Sequence, residues 1–141
     1  MNIRVLKKRD NHICVSKLGL SYGKTYVVTR SMAKCLMLWN EEYWKEFEQK
    51  LDELVAQAPN NKMVKQFCRI FKGSVCKSKV DKNGYIEISD VLNNFLAGGM
   101  SDQKDEIFAI QKTNIEDGCP VDCYYIGFDV ADMERWIHRS E

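Results

Sequence analysis

Apolar and polar residues alternate in short runs over the first forty positions, and a spacing of three and four takes over after them. Ile3–Leu6 and Ile13–Ser16 read as two strands of a hairpin with its turn at Asp10–His12, since alternation puts every second side chain on one face. Thr25-Tyr26-Val27-Val28-Thr29 is β-branched and aromatic, the composition of a strand. Cys35–Trp39 predicts another, with residues 30–34 short enough to be a hairpin loop between the two. Asn40 then precedes Glu41 and Glu42, a capping side chain followed by carboxylates at the positive end of a helix dipole. Tyr43, Trp44, Phe47, Leu51, Leu54 and Val55 recur at helical spacing and predict an amphipathic helix of about 14 residues. Pro59 and Asn60-Asn61 break it. A second helix is expected from Asn61 to Phe71, with Val64, Phe67, Cys68 and Phe71 on one face and Gly73 ending it.

The second half repeats this order. Ser74–Val80 reads as a strand, Asp81-Lys82-Asn83-Gly84 as a turn compatible with type I′, and Tyr85–Ile88 as the return strand. Ser89 is placed to cap a short helix, Asp90–Leu96, ended by Gly98-Gly99. Glu106–Ile110 and Cys123–Phe128 predict two strands joined by a loop around 114–121, and Asp129 caps a last helix with Met133, Trp136 and Ile137 inward. The correspondence runs residue by residue. Asp10-Asn11-His12 matches Asp81–Gly84, Tyr26-Val27-Val28 matches Ile107-Phe108-Ala109, and 38–44 matches 127–133, each a strand running into a capped helix. Two copies are too few for a solenoid and fit one barrel-like core with an internal two-fold. The expected class is α+β, as a single domain over 1–141 with a first repeat at 1–58 and a second at 59–141.

Size and composition agree with one ordinary domain: 141 residues, 45% hydrophobic, two prolines and eight glycines. No apolar run approaches the roughly 18 residues of a membrane span. Charge without a following apolar stretch at the N-terminus argues against an export signal, so the cytoplasm is expected. In that reducing compartment the six cysteines are not expected to form a disulfide framework. Cys119 and Cys123 are the only close pair, and His12 and His138 stand at opposite ends, so no metal site or cofactor is expected. Cys35 and Cys68 read as small core residues.

Charge changes the picture. The formal net charge is only +1. Yet residues 1–40 carry eight basic side chains against Asp10 alone, and 61–83 carry seven against Asp81 alone. Residues 41–60 and 84–141 are correspondingly acidic. Such segregation creates local fields suited to an anionic partner, or else neutralises itself in the fold or across a subunit contact. Both hairpin turns fall in basic blocks: Lys7, Lys8 and Arg9 precede the first, and Lys77, Lys79 and Lys82 surround the second. Lys77 and Lys79 share one strand face, as a phosphate-tracking surface requires, although edge lysines also discourage strand addition. His12 can touch a base edge or stay solvated, and Tyr85 can stack on a base or pack across the sheet. Asp10 and Asp81, with Gly84, are expected to organise the two turns. No glycine-rich phosphate cradle, His pair or serine elbow supports an enzyme, and Cys14 near His12 lacks an orienting third group, so no catalytic residue is assigned.

The run Lys34-Cys35-Leu36-Met37-Leu38-Trp39-Asn40-Glu41-Glu42-Tyr43-Trp44 resembles the MraZ family's cysteine-leucine-x-leucine strand leading into a tryptophan-bearing helix. Lys65–Ser74 followed by Val80–Ser89 resembles its second motif, in which an arginine-phenylalanine segment precedes an Asp-x-x-Gly-Arg hairpin and an Ile-Pro step. The resemblance extends from about Asn2 to Arg135. It implies the double-split β-barrel of swapped hairpins, related to AbrB-type DNA-binding domains, and self-association into rings. It also implies a nucleoid-associated transcriptional regulator that binds repeated promoter sites in duplex DNA near cell-division and cell-wall genes, through two hairpin loops. The sequence departs from the family in those loops. Tyr85 holds the second arginine position and Ser89 the following proline. In the first repeat, Cys14 holds that position if counted from Asp10, or a one-residue deletion aligns Ile13–Ser16 with Ile86–Ser89 and leaves it empty. Neither Tyr nor Cys can clamp phosphate or guanine as Arg does. The alternative is therefore a ring-forming scaffold or interaction protein that has kept the barrel and lost DNA binding.

Overall fold

The alternating segments pair into one antiparallel sheet of eight strands that curls into a nearly closed barrel, in the order β5-β3-β4-β8-β7-β1-β2-β6. The computed structural model describes residues 3–98, 105–111 and 123–140. The strands are β1 (Ile3–Arg9), β2 (His12–Cys14), β3 (Thr25–Arg30), β4 (Leu36–Asn40), β5 (Cys76–Lys79), β6 (Tyr85–Glu87), β7 (Glu106–Gln111) and β8 (Tyr124–Gly127). The α-helices are α1 (Glu41–Gln57), α2 (Lys62–Lys72), α3 (Asp90–Ala97) and α4 (Val130–Ser140), and a 3-10 turn, Ser16–Leu18, follows β2. This is the expected α+β barrel. The loop expected around 114–121 lies outside the described residues.

The pairing order reads the same when the two halves are exchanged. Hairpin β3–β4 has its counterpart in β7–β8, and β4 pairs with β8. Strand β1 of the first half pairs with β7 of the second, and β5 of the second pairs with β3 of the first. Each N-terminal hairpin is thus exchanged into the other half. The two hairpins meet along β2 and β6, whose register is His12↔Glu87, Ile13↔Ile86 and Cys14↔Tyr85. The Ile13–Ile86 pair sits on the approximate two-fold axis, and both side chains have no solvent exposure. The barrel closes where β5 meets β6, with the Glu87 N–H on the Ser78 hydroxyl at 2.9 Å.

Two apolar layers result from the alternation. Leu6, Ile13, Tyr26, Val28, Leu38, Ile86, Ile107 and Ile126 fill the barrel, which Leu92 and Leu96 of α3 help to plug. The opposite faces of β3, β4 and β8 carry Val27, Trp39 and Tyr125 against α1, α2 and α4. Trp39 anchors this second layer: its ring stacks on Phe47 at 4.8 Å, meets Trp44 edge-on at 5.3 Å, and its indole N–H donates to the Thr29 hydroxyl at 2.9 Å. Cys35 and Cys68 are buried here, and burial pushes the Cys35 thiol up to about 11. Helices α1 to α4 pack mainly on β3, β4 and β8, and the outward residues of β1 (Ile3, Val5, Lys7 and Arg9) are exposed.

Caps follow local chemistry closely. Asn40 accepts from the N–H groups of Glu42 and Tyr43, Asn61 from Met63 and Val64, Ser89 from Leu92 and Asp129 from Asp132. Three details differ from expectation. Helix α1 runs 17 residues, because Ala58 and not the last apolar position ends it. Gly73 closes α2 in the right-handed region at φ −74; a Cβ there would come 2.7 Å from the Arg69 carbonyl oxygen, so space and not handedness calls for glycine. The second turn is not type I′, which needs two left-handed residues, for between Asp81 and Tyr85 only Gly84 has positive φ. Because the Ile13–Ile86 pair joins the exchanged hairpins, Ile86→Ala is expected to destabilise the fold by roughly 2–5 kcal/mol, read as a lowered urea midpoint.

Candidate nucleic-acid interface

The first turn is tight. Strand β1 continues through Arg9, leaving Asp10 and Asn11 as the connection, with Asp10 left-handed at φ 48. Asp can adopt this conformation at small cost, so its backbone makes the turn. Asn11 donates to the Asp90 carboxylate at 2.6 Å, which ties the tip to the start of α3. In the second turn the Asp81 carboxylate accepts from the N–H groups of Asn83 and Tyr85, both at 2.9 Å. Gly84, at φ +83, completes it as the left-handed residue after a type I turn. A Cβ on Gly84 would stand 2.9 Å from the Ser16 Cβ, so no other residue fits without a shift.

Antiparallel pairing of β2 with β6 sends the tips to opposite ends of that ladder. Asn11 accepts the Ile88 N–H at 2.8 Å at one end, and Gly84 accepts the Val15 N–H at 2.7 Å at the other. Along β2 four residue steps lead from Asn11 to Val15, the partner of Gly84, roughly 13 Å at the usual rise. Between the tips lies the barrel's open exterior, formed by β1, β2, β6 and β5 in succession. Alternation places Lys7 and Arg9 on it from β1, His12 and Cys14 from β2, Tyr85 and Glu87 from β6, and Lys77 and Lys79 from β5.

The candidate cations differ in what they meet. Lys8 points the other way, with Leu6: it is buried, its ammonium donates to the Asp10 carbonyl, and desolvation lowers its pKa despite the Asp10 carboxylate. His12 sits 3.1 Å from the Glu87 carboxylate, its cross-strand partner. Lys77 reaches Glu41 at the start of α1, 3.6 Å away. Lys7, Arg9, Lys79 and Lys82 are exposed and form no ion pair with any described residue. The exterior therefore carries cations at its flanks and the Glu87 carboxylate near its middle, with Glu106 of β7 opposite Lys7 at the edge. Tyr85 is half-buried and Cys14 lies 3.2 Å from the Ser16 hydroxyl.

The register also resolves the alignment of the two loops. Exchange of Ile13 with Ile86 carries Cys14 onto Glu87 and His12 onto Tyr85. The structure thus matches Ile13–Ser16 to Ile86–Ser89, as the second alignment has it, but corrects it in the loop. That loop is two residues shorter than its counterpart if Asp10 answers to Asp81, and His12, not a gap, is the counterpart of Tyr85. No arginine stands at either position. Among the described residues no cluster of metal-ligating side chains forms, and no helix is long and apolar enough to cross a membrane.

Against curated proteins, the chain is similar to the transcriptional regulator MraZ of Lachnoclostridium phytofermentans, with 32% identity over 84 residues. The match supports membership of the MraZ family. It covers 60% of this chain and 57% of that MraZ, so it spans little more than half of the relative's length. No protein-family model matches. The MraZ relative is named as a transcriptional regulator, which is not an enzyme class.

Sequence reasoning missed two features. The inward turn of Lys8 was legible in the alternation from Leu6, which puts 6 and 8 on one face. Four of the seven cations in 61–83 belong to α2 and not to the hairpin: Lys62, Lys65, Arg69 and Lys72. Their spacing of three, four and three was the available signal. Gly84→Ala is expected to cost roughly 1–3 kcal/mol, from a left-handed backbone and the Ser16 contact together, read as a lowered Tm.

Proposed function

We propose that the chain is a DNA-binding transcriptional regulator of the MraZ type, forming one domain of two repeats (1–58 and 59–141), and that it engages duplex DNA with the open exterior of the barrel and the two turns that bound it. One observation supports the DNA contact: exposed cations that form no ion pair with any described residue, Lys7 and Arg9 on one flank and Lys79 and Lys82 on the other, border a surface away from the helix-covered layer. The separation of roughly 13 Å between Asn11 and Gly84 lies within reach of one duplex, which offers a phosphate about every 3.4 Å along each strand. Without arginine at the loop positions, affinity comes from counterion release at the phosphates, with His12 and Tyr85 as the polar and aromatic groups available to a base or sugar. Self-association into a ring belongs to the same reading, because weak contacts on each subunit then add through effective concentration. The cytoplasm and the nucleoid are the expected location.

A second reading is favoured by the ion pair of Lys77 with Glu41 and the contact of His12 with Glu87. Side chains already partnered within the fold fit a scaffold that has given up DNA. Duplex binding at low salt separates the two. Lys79→Ala with Lys82→Ala should weaken binding of every sequence alike and lower the slope of log K against log salt by up to about 1.8. Glu87→Gln should raise affinity by roughly two- to fivefold at low salt, since it removes the repelling charge from the middle of the surface. Absence of binding by the unaltered chain would decide for the scaffold.

A further inference from the structure

Helix α2 carries a second cationic surface. Lys62, Lys65, Arg69 and Lys72 fall within an arc of about 80° at 100° per residue and span about 15 Å of helix axis. The apolar face, Val64, Phe67, Cys68 and Phe71, is centred about 130° round the helix and holds it on the barrel. Helix α2 contains no acidic residue. A purely structural role for the stripe would be to neutralise α1, which carries Glu48, Asp52 and Glu53. Only Lys72 does so: its ammonium bonds the Asp52 carboxylate, which raises its pKa. Lys62, Lys65 and Arg69 are exposed and make no ion pair with any described residue. Lys65 and Arg69 instead line an open groove of about 450 Å³ between α1 and α2, beside Val55 and Cys68.

We infer that the α2 stripe is a second phosphate-binding surface, able to track a backbone of duplex DNA through Lys62, Lys65 and Arg69 on the helix-covered side of the barrel. This rests on the DNA-binding reading above. Over 15 Å one DNA strand presents about four phosphates, close to the number of cations in the stripe. The stripe supplies charge at a place independent of the loops, where arginine is missing. It contributes affinity and not sequence choice, because side chains on a helix exterior that meet only phosphate carry no base information. Lys72, held by Asp52, completes the row as a positioned charge.

The test is a salt titration of duplex binding by the full chain, by K62A/K65A/R69A, by K79A/K82A and by K45A/K50A, two exposed cations on α1. Alanine favours helix at these exposed sites, and unchanged circular dichroism would establish that each variant is folded. The expected result is a slope of log K against log salt lower by roughly two to three for the α2 variant, for every duplex sequence. K45A/K50A should change it by less than half a unit per charge removed. If the α2 variant keeps the parent slope while K79A/K82A loses it, the inference is overturned and the DNA reading stands. Equal losses per charge for α1 and α2 would overturn it as a diffuse charge effect. No binding by the parent chain overturns both.

Discussion

Everything in this fold depends on the short β2–β6 ladder. It is three residues on each side, yet it joins hairpins that each belong, by their other pairings, to the opposite half. Ile13 and Ile86 stand opposite one another on its inner face, fully buried at the two-fold axis. Apolar contact there is what makes exchange of the hairpins favourable, since two separate hairpins would leave these faces wet. The same ladder decides the surface outside it. Because each side chain flips face with every residue, burial of 13 and 86 forces 12, 14, 85 and 87 outward.

That exterior stays open because the helices are used elsewhere. Helices α1, α2 and α4 cover the second apolar layer around Trp39, on β3, β4 and β8. Among the described residues, one side is dressed in helix and the other is sheet flanked by lysine and arginine. Loss of the loop arginines is then read in a wider setting. Phosphate affinity is a sum over cations, and it depends less on any one residue than base recognition does. On the proposed reading, a surface of this kind would bind DNA with strong dependence on salt and with modest discrimination.

What was legible in the chain followed the range of the physics. Caps and their helices at Asn40, Asn61, Ser89 and Asp129 were readable because a side chain bonding the backbone two or three residues on is a local event. Strand positions were readable from alternation, and the α+β class from their order. The exchange of hairpins was suggested by the internal repeat and by the likeness to MraZ, but the register His12↔Glu87 is set by burial across a gap of 75 residues and leaves no local trace. For that reason the contact of His12 with the Glu87 carboxylate could not be foreseen. The type I′ expectation for Asp81–Gly84 failed because the Asp81 carboxylate, by accepting from two backbone N–H groups, stabilises a longer turn. Cations in 61–83 were counted as one block although helix and hairpin divide them between two surfaces.

Chemical-shift mapping of the isotopically labelled chain during titration with a short DNA duplex at low salt tests the central claim most directly. The account predicts perturbations concentrated on the amides of Lys7, Arg9, His12 and Lys79–Gly84, with a second group along Lys62–Arg69. Perturbations confined to α1 and α4, or a spectrum that does not change, would contradict it.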